Sequence, residues 1–173
     1  MGPAHQAWLS LGSNMGDRLG YLLGGAGYVL ANGASLRDNS GIYETVPVGV
    51  EDQEDFYNMA IHIETGLEPM ALLRLCQRAE AAFHRERVLR WGPRTLDVDI
   101  LLYDELTLDL PELTLPHPRM GQRAFVLGPL AEISPALFPQ WGLPNLREGI
   151  VLKIPARDVR MMLVDSMRPG SPP

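Results

Sequence analysis

The chain has 173 residues and a formal net charge of −6, from 15 basic and 21 acidic residues. Apolar residues make up 46% and charged residues 21%, a balance typical of globular proteins rather than disordered or fibrous ones. General nucleic-acid binding usually needs a broad basic face, so nucleic acid is not an expected partner. The length favours one domain spanning 1–173, and we expect its last residues, 167–173, to be a disordered tail.

The sequence also predicts a cytoplasmic protein without a membrane partner. No apolar run is long enough to span a bilayer, and the start, "MGPAHQAWLSLGSN", lacks the basic and apolar segments of a secretory signal. It begins Met-Gly, but Gln6 stands where a myristoylation signal has Ser or Thr. The single cysteine, Cys76, falls in an apolar helical run, which favours a buried and inert thiol.

The first half of the chain alternates between strand and helix patterns. "AWLSLGS" (7–13) reads as a buried strand, and Asn14 or Asp17 can cap a glycine-rich helix that runs to about Ala31. Residues 35–45 predict a strand with an irregularity near Gly41, followed by a loop at 46–55. "FYNMAIHIET" (56–65) alternates as a strand, with Tyr57, Met59, Ile61 and Ile63 on one face.

A second helix is predicted from Pro69 to about Arg85, then a loop at 86–93 and a strand at 95–103. Short helices follow near "RMGQR" and "VLGPLAEI". The order strand, helix, strand, strand, helix, strand is that of the ferredoxin-like α/β (α+β) fold. We therefore expect an antiparallel sheet flanked by helices in three α-β-α layers, to which the C-terminal third adds helices, with room for a short edge hairpin.

A cluster of arginines precedes the last of these strands. Arg85, Arg87, Arg90 and Arg94 lie within ten residues, opposed only by Glu86. The planar guanidinium group suits phosphate oxygens, although a solvated surface cluster is the commoner explanation of such a run. The cluster therefore becomes evidence for a phosphate site only if a second feature lies beside it.

Two aspartates in the strand supply that second feature. Asp97 and Asp99 project to one face together with Thr95 and Leu101, because residues two apart in a strand share a face. The residues that alternate with them, expected in the core, are Leu96, Val98, Ile100 and Leu102. Two carboxylates about 7 Å apart on a rigid face suit Mg²⁺, which takes one or two carboxylates plus substrate phosphates. The alternative is an exposed face that happens to carry acids. The sequence has no G-x-x-x-x-G-K-[ST] loop.

"RWGPRTLDVDILLY" (90–103) resembles the signature of the 6-hydroxymethyl-7,8-dihydropterin pyrophosphokinase family of folate biosynthesis. Four further segments agree in order and spacing: "LSLGSNMGDR", "YETVPVGVEDQEDFYN", "LPHPRM" and "RAFVLGPLAEI". The resemblance covers about residues 7–140. It implies transfer of a diphosphate group from ATP to the hydroxymethyl oxygen of the pterin, which leaves AMP, and it implies the same ferredoxin-like fold.

The resemblance also implies roles for the charged residues. Asp97 and Asp99 match paired aspartates that hold two Mg²⁺ ions, and Arg85 and Arg94 match catalytic arginines. Arg85 and Arg87 match a mobile loop, and we expect the segment 84–93 to be open in the free protein and to close over the substrates. The positions that match the ATP site are Gln77, Glu80, Arg87, Arg94, Ile100, His117 and Arg123.

A flat pterin needs aromatic faces and fixed hydrogen-bond partners. The positions that match the family's pterin site are Thr45, Pro47, Val48, Phe56, Asn58, Trp91 and Phe125. Without the resemblance, Phe56 and Phe125 would be taken for core residues.

Two other functions fit a metal-binding aspartate pair on such a sheet. The first is an Mg²⁺-dependent nucleotidyltransferase, which would release pyrophosphate instead of AMP. The second is a non-catalytic nucleotide-binding domain, which would bind ATP without turnover. In all three cases the expected partners are small molecules, and we expect a monomer or a weak homodimer.

Overall fold

The computed structural model describes residues 3–45, 55–83, 95–140 and 149–167. The strands are β1 (His5–Ser13), β2 (Ala34–Asn39), β3 (Ile42–Thr45), β4 (Phe56–Thr65), β5 (Asp97–Tyr103), β6 (Leu108–Asp109), β7 (Thr114–Leu115) and β8 (Ile150–Ile154). The α-helices are α1 (Arg18–Ala31), α2 (Pro69–Phe83), α3 (Ala124–Ile133) and α4 (Ala156–Ser166), and 3₁₀ turns occupy Met120–Gln122 and Pro135–Gln140. The expected elements are thus present, and β8 with α4 extends the chain beyond them.

The main sheet is antiparallel and has the strand order β5-β1-β4-β3-β8. Strand β2 also pairs with β4, further along it than β3. Strands β2 and β3 are therefore one interrupted strand, and the interruption at residues 40–41 is the irregularity expected near Gly41. The hydroxyl of Ser40 fills this gap by accepting a hydrogen bond from the backbone N–H of Ala60 at 2.8 Å. The ferredoxin-like prediction is confirmed.

The sheet separates two apolar clusters, which gives the three expected layers. The larger cluster lies between the sheet and α1, α2 and α4, with Leu9, Leu11, Ile61, Leu72 and Leu163 among its fully buried members. The smaller cluster lies between the opposite face and α3. Asp17, one of the two capping residues considered, caps α1 by accepting a hydrogen bond from the backbone N–H of Gly20 at 3.0 Å.

The glycines of α1 are explained by close packing. A Cβ atom on Gly24 would stand 2.5 Å from the ring of Phe83, and one on Gly25 would stand 2.6 Å from the side chain of Leu96. Glycine lowers intrinsic helix stability, but here it lets α1 approach α2 and the start of β5. The helix therefore depends on tertiary packing for its stability.

One expectation for β5 is wrong. Leu102 does not share the core of Val98 and Ile100 but packs with Leu101 in the smaller cluster beside α3. The register against β1 shifts at this point, since Trp8 pairs with Leu102 and its neighbour Leu9 pairs with Ile100. The extra residue, Leu101, forms a bulge, and a bulge reverses the alternation of every residue after it.

Within the described residues, no helix is long and apolar enough to cross a membrane. Cys76 is fully buried in α2, as expected. Burial raises the pKa of its thiol to about 12, with Glu80 and Asp99 adding to the effect. The thiol is therefore protonated at neutral pH and unreactive.

Candidate active site

A cavity of about 470 Å³ opens on the α3 side of the sheet. It collects side chains from β1, β3, β4, β5 and the start of α3, which no local pattern brings together. The lining residues are Ser10, Gly12, Thr45, Phe56, Asn58, Asp97, Asp99, Arg123, Phe125 and Val126. The volume is that of a small-molecule site, and the lining combines apolar walls with a few polar groups.

Asn58 is the most buried amide of this cavity, with 3% of its surface exposed. Its Nδ2 donates a hydrogen bond to the hydroxyl oxygen of Thr45 at 2.9 Å. That bond determines which way the amide is turned and leaves Oδ1 as an acceptor. A buried acceptor of this kind suits the N–H groups along the edge of a heterocycle.

The apolar walls come from two aromatic residues that are far apart in the sequence. Phe56 begins β4, and Phe125 lies in the first turn of α3, where it also packs against the smaller apolar cluster. The guanidinium carbon of Arg123 lies 5.6 Å from the centroid of the Phe125 ring. A planar ligand between these walls would meet both apolar faces and a fixed positive charge.

The two aspartates line the cavity from β5. In the β1–β5 register, Asp97 faces Gly12 and Asp99 faces Ser10, so the small β1 residues leave room above both carboxylates. The backbone N–H of Val98, between them, donates to Glu80 Oε2 on α2 at 3.3 Å. This bond ties α2 to the strand segment that carries the acids. No group of three or more candidate metal ligands occurs among the described residues.

A smaller cleft of about 200 Å³ lies on the other side of β5. Its walls come from α2, β5 and the segment around β7. The lining residues are Leu73, Val98, Asp99, Ile100, Pro111, Glu112, Leu113, Thr114, His117 and Pro118. Asp99 lines both cavities, because β5 is the edge strand of the main sheet and Asp99 is exposed at that edge. A ligand in the cleft can therefore approach the same carboxylate as a ligand in the cavity.

His117 is a half-buried residue of this cleft. Its Nδ1 accepts a hydrogen bond from the backbone N–H of Arg119 at 3.2 Å, so the neutral ring carries its proton on Nε2. Burial lowers the pKa of His117, and Arg123 and Arg119 lower it further, against the opposing effect of Asp99. At neutral pH the ring is therefore an uncharged donor.

Two more residues of α2 stand beside the cleft. Arg74 Nη2 pairs with Glu112 Oε2 at 2.5 Å, and Arg74 Nη1 donates to Gln77 Oε1 at 3.0 Å. Because an arginine only donates, the amide nitrogen of Gln77 remains free to donate elsewhere. Glu112 is thus engaged by a neighbouring arginine of this chain.

The family comparison decides the identity. The model of the 7,8-dihydro-6-hydroxymethylpterin-pyrophosphokinase (HPPK) family matches residues 8–135. This chain belongs to the HPPK family. The 2-amino-4-hydroxy-6-hydroxymethyldihydropteridine pyrophosphokinase of Bacillus subtilis is 49% identical over 128 residues, which cover 73% of this chain and 77% of that protein. The protein of the same name from Methylorubrum extorquens is 44% identical over 133 residues, which cover 76% of this chain and 84% of that protein.

Solved structures agree on the HPPK fold. A crystal structure of HPPK-DHPS in complex with substrates matches with a TM-score of 0.61 and 15% identity, over 87% of this chain and 47% of that one. Wild-type HPPK-DHPS of Plasmodium falciparum with pteroate matches with a TM-score of 0.62 and 16% identity, over 96% of this chain and 44% of that one. This chain therefore spans somewhat less than half of those longer proteins.

The structure gathers many of the residues that the HPPK resemblance singles out. The large cavity holds Thr45, Phe56, Asn58, Phe125, Asp97, Asp99 and also Arg123, which was expected at the ATP site. Ile100 and His117 line the cleft. Gln77 and Glu80 do not line it, but they lie on α2, the helix that contributes Leu73 to it. Pro47, Val48, Arg85, Arg87, Trp91 and Arg94, like the loop at 84–93 and the tail from 168 onward, lie outside the described residues.

Sequence reasoning did not single out Ser10, Gly12 and Val126, which also line the cavity. Ser10 and Gly12 alternate with the core residues Leu9 and Leu11, so the period of β1 already placed them on the opposite face. The sequence does not show that β1 lies between β4 and β5, where Gly12 is beside both Asn58 and Asp97.

Proposed function

We propose that this chain transfers the diphosphate group of ATP to the hydroxymethyl oxygen of 6-hydroxymethyl-7,8-dihydropterin, a step of folate biosynthesis. The hydroxyl oxygen attacks the β-phosphorus, and the bond from that phosphorus to the oxygen bridging to the α-phosphorus breaks. The hydroxyl proton passes to solvent water, and AMP leaves with the bridging oxygen and the electron pair of the broken bond. The observation that carries the proposal is the large cavity, which combines two aromatic walls, a buried amide and both aspartates.

The pterin occupies the large cavity in this proposal. Its rings lie between Phe56 and Phe125, and its amide-like edge meets Oδ1 of Asn58, whose orientation Thr45 determines. ATP occupies the smaller cleft, with its base and ribose toward α2 and His117. Its phosphates extend to Asp99, where the two cavities meet, so the β-phosphorus comes close to the hydroxymethyl group.

Asp97 and Asp99 are the residues that would hold Mg²⁺. Both are hard oxygen ligands on one strand face, and a pair of carboxylates suits a cation that completes its shell with waters and phosphate oxygens. When bound, Mg²⁺ neutralises charge on the phosphate groups. We propose two such ions. Arg85, Arg87 and Arg94 would add positive charge from the segment before β5, and Trp91, Pro47 and Val48 would complete the pterin site.

The test is the identity of the product. The protein is incubated with ATP, Mg²⁺ and 6-hydroxymethyl-7,8-dihydropterin, and nucleotides are separated by anion-exchange chromatography. We expect AMP in an amount equal to the pterin diphosphate formed, and no AMP when the pterin is left out. Release of pyrophosphate would indicate a nucleotidyltransferase instead, and ATP binding without turnover would indicate a non-catalytic domain.

A further inference from the structure

Arg18, which none of the roles above uses, makes three contacts at one end of the main sheet. Its Nη1 donates to the backbone carbonyl of Asp55 at 2.5 Å and to Glu44 Oε2 at 3.4 Å. Its guanidinium carbon lies 4.0 Å from the centroid of the Tyr57 ring. The side chain is 21% exposed, as is that of Glu44. It is therefore a partly desolvated cation whose Nη1 is committed to two acceptors, rather than a solvated surface arginine.

The position of Arg18 in α1 is an unfavourable one for a positive charge. Arg18 is the first residue of α1, and the first turn of that helix contains no acidic residue. A positive charge at a helix N-terminus opposes the helix dipole, so this position disfavours arginine. The N-cap carboxylate of Asp17 and the contacts with Glu44, Asp55 and Tyr57 offset this effect.

The three contacts fall on β3, on β4 and on the residue just before β4, at the end of this strand pair that lines the large cavity. Glu44 and Tyr57 are register partners, and the next pair is Thr45 with Phe56. Asp55 directly precedes Phe56. Arg18 therefore joins the end of β3 to the start of β4 from the α1 side, and the neighbouring pair, Thr45 and Phe56, lines the cavity.

The contacts of Arg18 also affect the polar part of the cavity. Thr45 accepts the hydrogen bond that orients the amide of Asn58. Glu44, adjacent to Thr45, is held from two sides, because Lys153 on β8 lies 3.4 Å from its other carboxylate oxygen. Displacement of Glu44 or Asp55 would move Thr45 and Phe56 with it. The residues that line the smaller cleft make none of these contacts.

We propose that Arg18 is a positioning residue for the pterin: it holds the Thr45–Phe56 end of strands β3 and β4 in the geometry that the pterin cavity needs. It contacts neither substrate. Its loss should weaken the pterin and spare the nucleotide. This inference rests on the function proposed above, since it assigns the pterin to the large cavity.

The experiment measures two dissociation constants by isothermal titration calorimetry. One is for 6-hydroxymethylpterin in the presence of Mg²⁺ and saturating α,β-methylene-ATP, in which the bond to be broken is replaced. The other is for α,β-methylene-ATP alone with Mg²⁺. The variants are Arg18→Ala and Arg18→Lys, with Arg37→Ala as the matched control. Arg37 is another arginine paired with a glutamate, Glu64, but it is 56% exposed and lines neither cavity.

For Arg18→Ala we expect the pterin dissociation constant to rise by about tenfold, the size of one lost charge-assisted hydrogen bond. The nucleotide constant should change by less than about twofold, within the usual range for surface changes. The Arg37→Ala variant should bind both ligands as the wild type does. Arg18→Lys keeps the charge and the donors, so it should recover part of the lost affinity. In steady-state assays, the loss should appear in KM for the pterin while kcat at saturation is largely retained.

Several results would overturn this role. They are an unchanged pterin affinity in folded Arg18→Ala, an equal loss for both ligands, or an Arg18→Lys variant no better than Arg18→Ala. If Arg18→Ala does not fold, Arg18→Met decides by the same thresholds, because it keeps the stem over Tyr57 and removes the donors. If the wild-type chain does not bind the pterin, the proposed function is overturned as well. If the wild type and Arg18→Ala bind the pterin with equal affinity, only this inference is overturned.

Discussion

The amide oxygen of Asn58 lies 2.9 Å from the position that a Cβ atom on Gly12 would occupy. That separation is shorter than normal contact, and the amide cannot simply turn, because its nitrogen is bonded to Thr45. Both residues line the large cavity. The amide can keep this position only because residue 12 has no side chain.

We accordingly expect Gly12→Ala to raise KM for the pterin by roughly tenfold, the effect of misplacing one buried hydrogen-bond acceptor. Activity at saturating pterin should fall less. Gly121→Ala is the control, since a Cβ atom there has no neighbour within 4 Å. Steady-state kinetics with the pterin varied at saturating MgATP would check it, and equal KM values for the two variants would contradict it.

The aspartate pair should be needed for turnover and not for folding. Asp97→Asn and Asp99→Asn keep the size of each side chain and remove the charge, so we expect AMP formation to fall by about 10²-fold or more, as when a transition-state charge partner is removed. Asp109→Asn, an exposed acid in β6, is the matched control and should be fully active. Thermal melts by circular dichroism should show both cavity variants folded. Near-normal turnover of either variant at saturating Mg²⁺ would refute the metal assignment.

Loss of the Phe125 ring should weaken binding of the pterin more than binding of the nucleotide. Aromatic stacking contributes about 0.5–1.5 kcal/mol beyond area burial, so Phe125→Ala should weaken pterin binding by at least that amount. Ile133→Ala is the control, because Ile133 packs against the same apolar cluster without lining the cavity. Calorimetric titrations with each ligand separate the two effects. If both ligands lost affinity equally, Phe125 would be acting as a core residue.

His62 should make the fold sensitive to acid. Its ring stacks on Trp8 with centroids 4.5 Å apart, and its Nε2 lies 2.7 Å from Gln6 Oε1. Burial lowers the pKa of His62, and Arg37 adds to this against the opposing effects of Asp38 and Glu64. The unfolded chain therefore binds a proton at higher pH than the folded one, and the free energy of unfolding should fall as the pH drops below about 6.5.

The check is a comparison of melting temperatures between pH 7.5 and 5 for the wild type and His62→Gln. Glutamine keeps a polar group near Gln6 but does not titrate in this range. We expect the variant to be somewhat less stable at pH 7.5 and to lose less on acidification. Curves that stay parallel over the whole range would show that His62 carries no part of the acid sensitivity.

The order of the elements, the aspartate pair on a strand and the family were all predictable from the sequence. They rest on local information: the alternation of 56–65, the helical spacing after Pro69, and the long motif at 90–103. The bulge at Leu101 was not predictable, because a register shift depends on how β5 pairs with β1. The apolar residues around it are all buried, so their sequence pattern does not reveal the shift.

The sequence by itself therefore determined which elements form and which chemical groups the chain carries. Only the tertiary structure decided which of them meet. Gly12 and Asn58 belong to strands that the chain joins through a helix and two further strands, and Arg18 reaches Glu44 and Asp55 across a similar separation. Such contacts are set by strand order and by the face each residue presents, and periodicity within a segment says nothing about the partner segment.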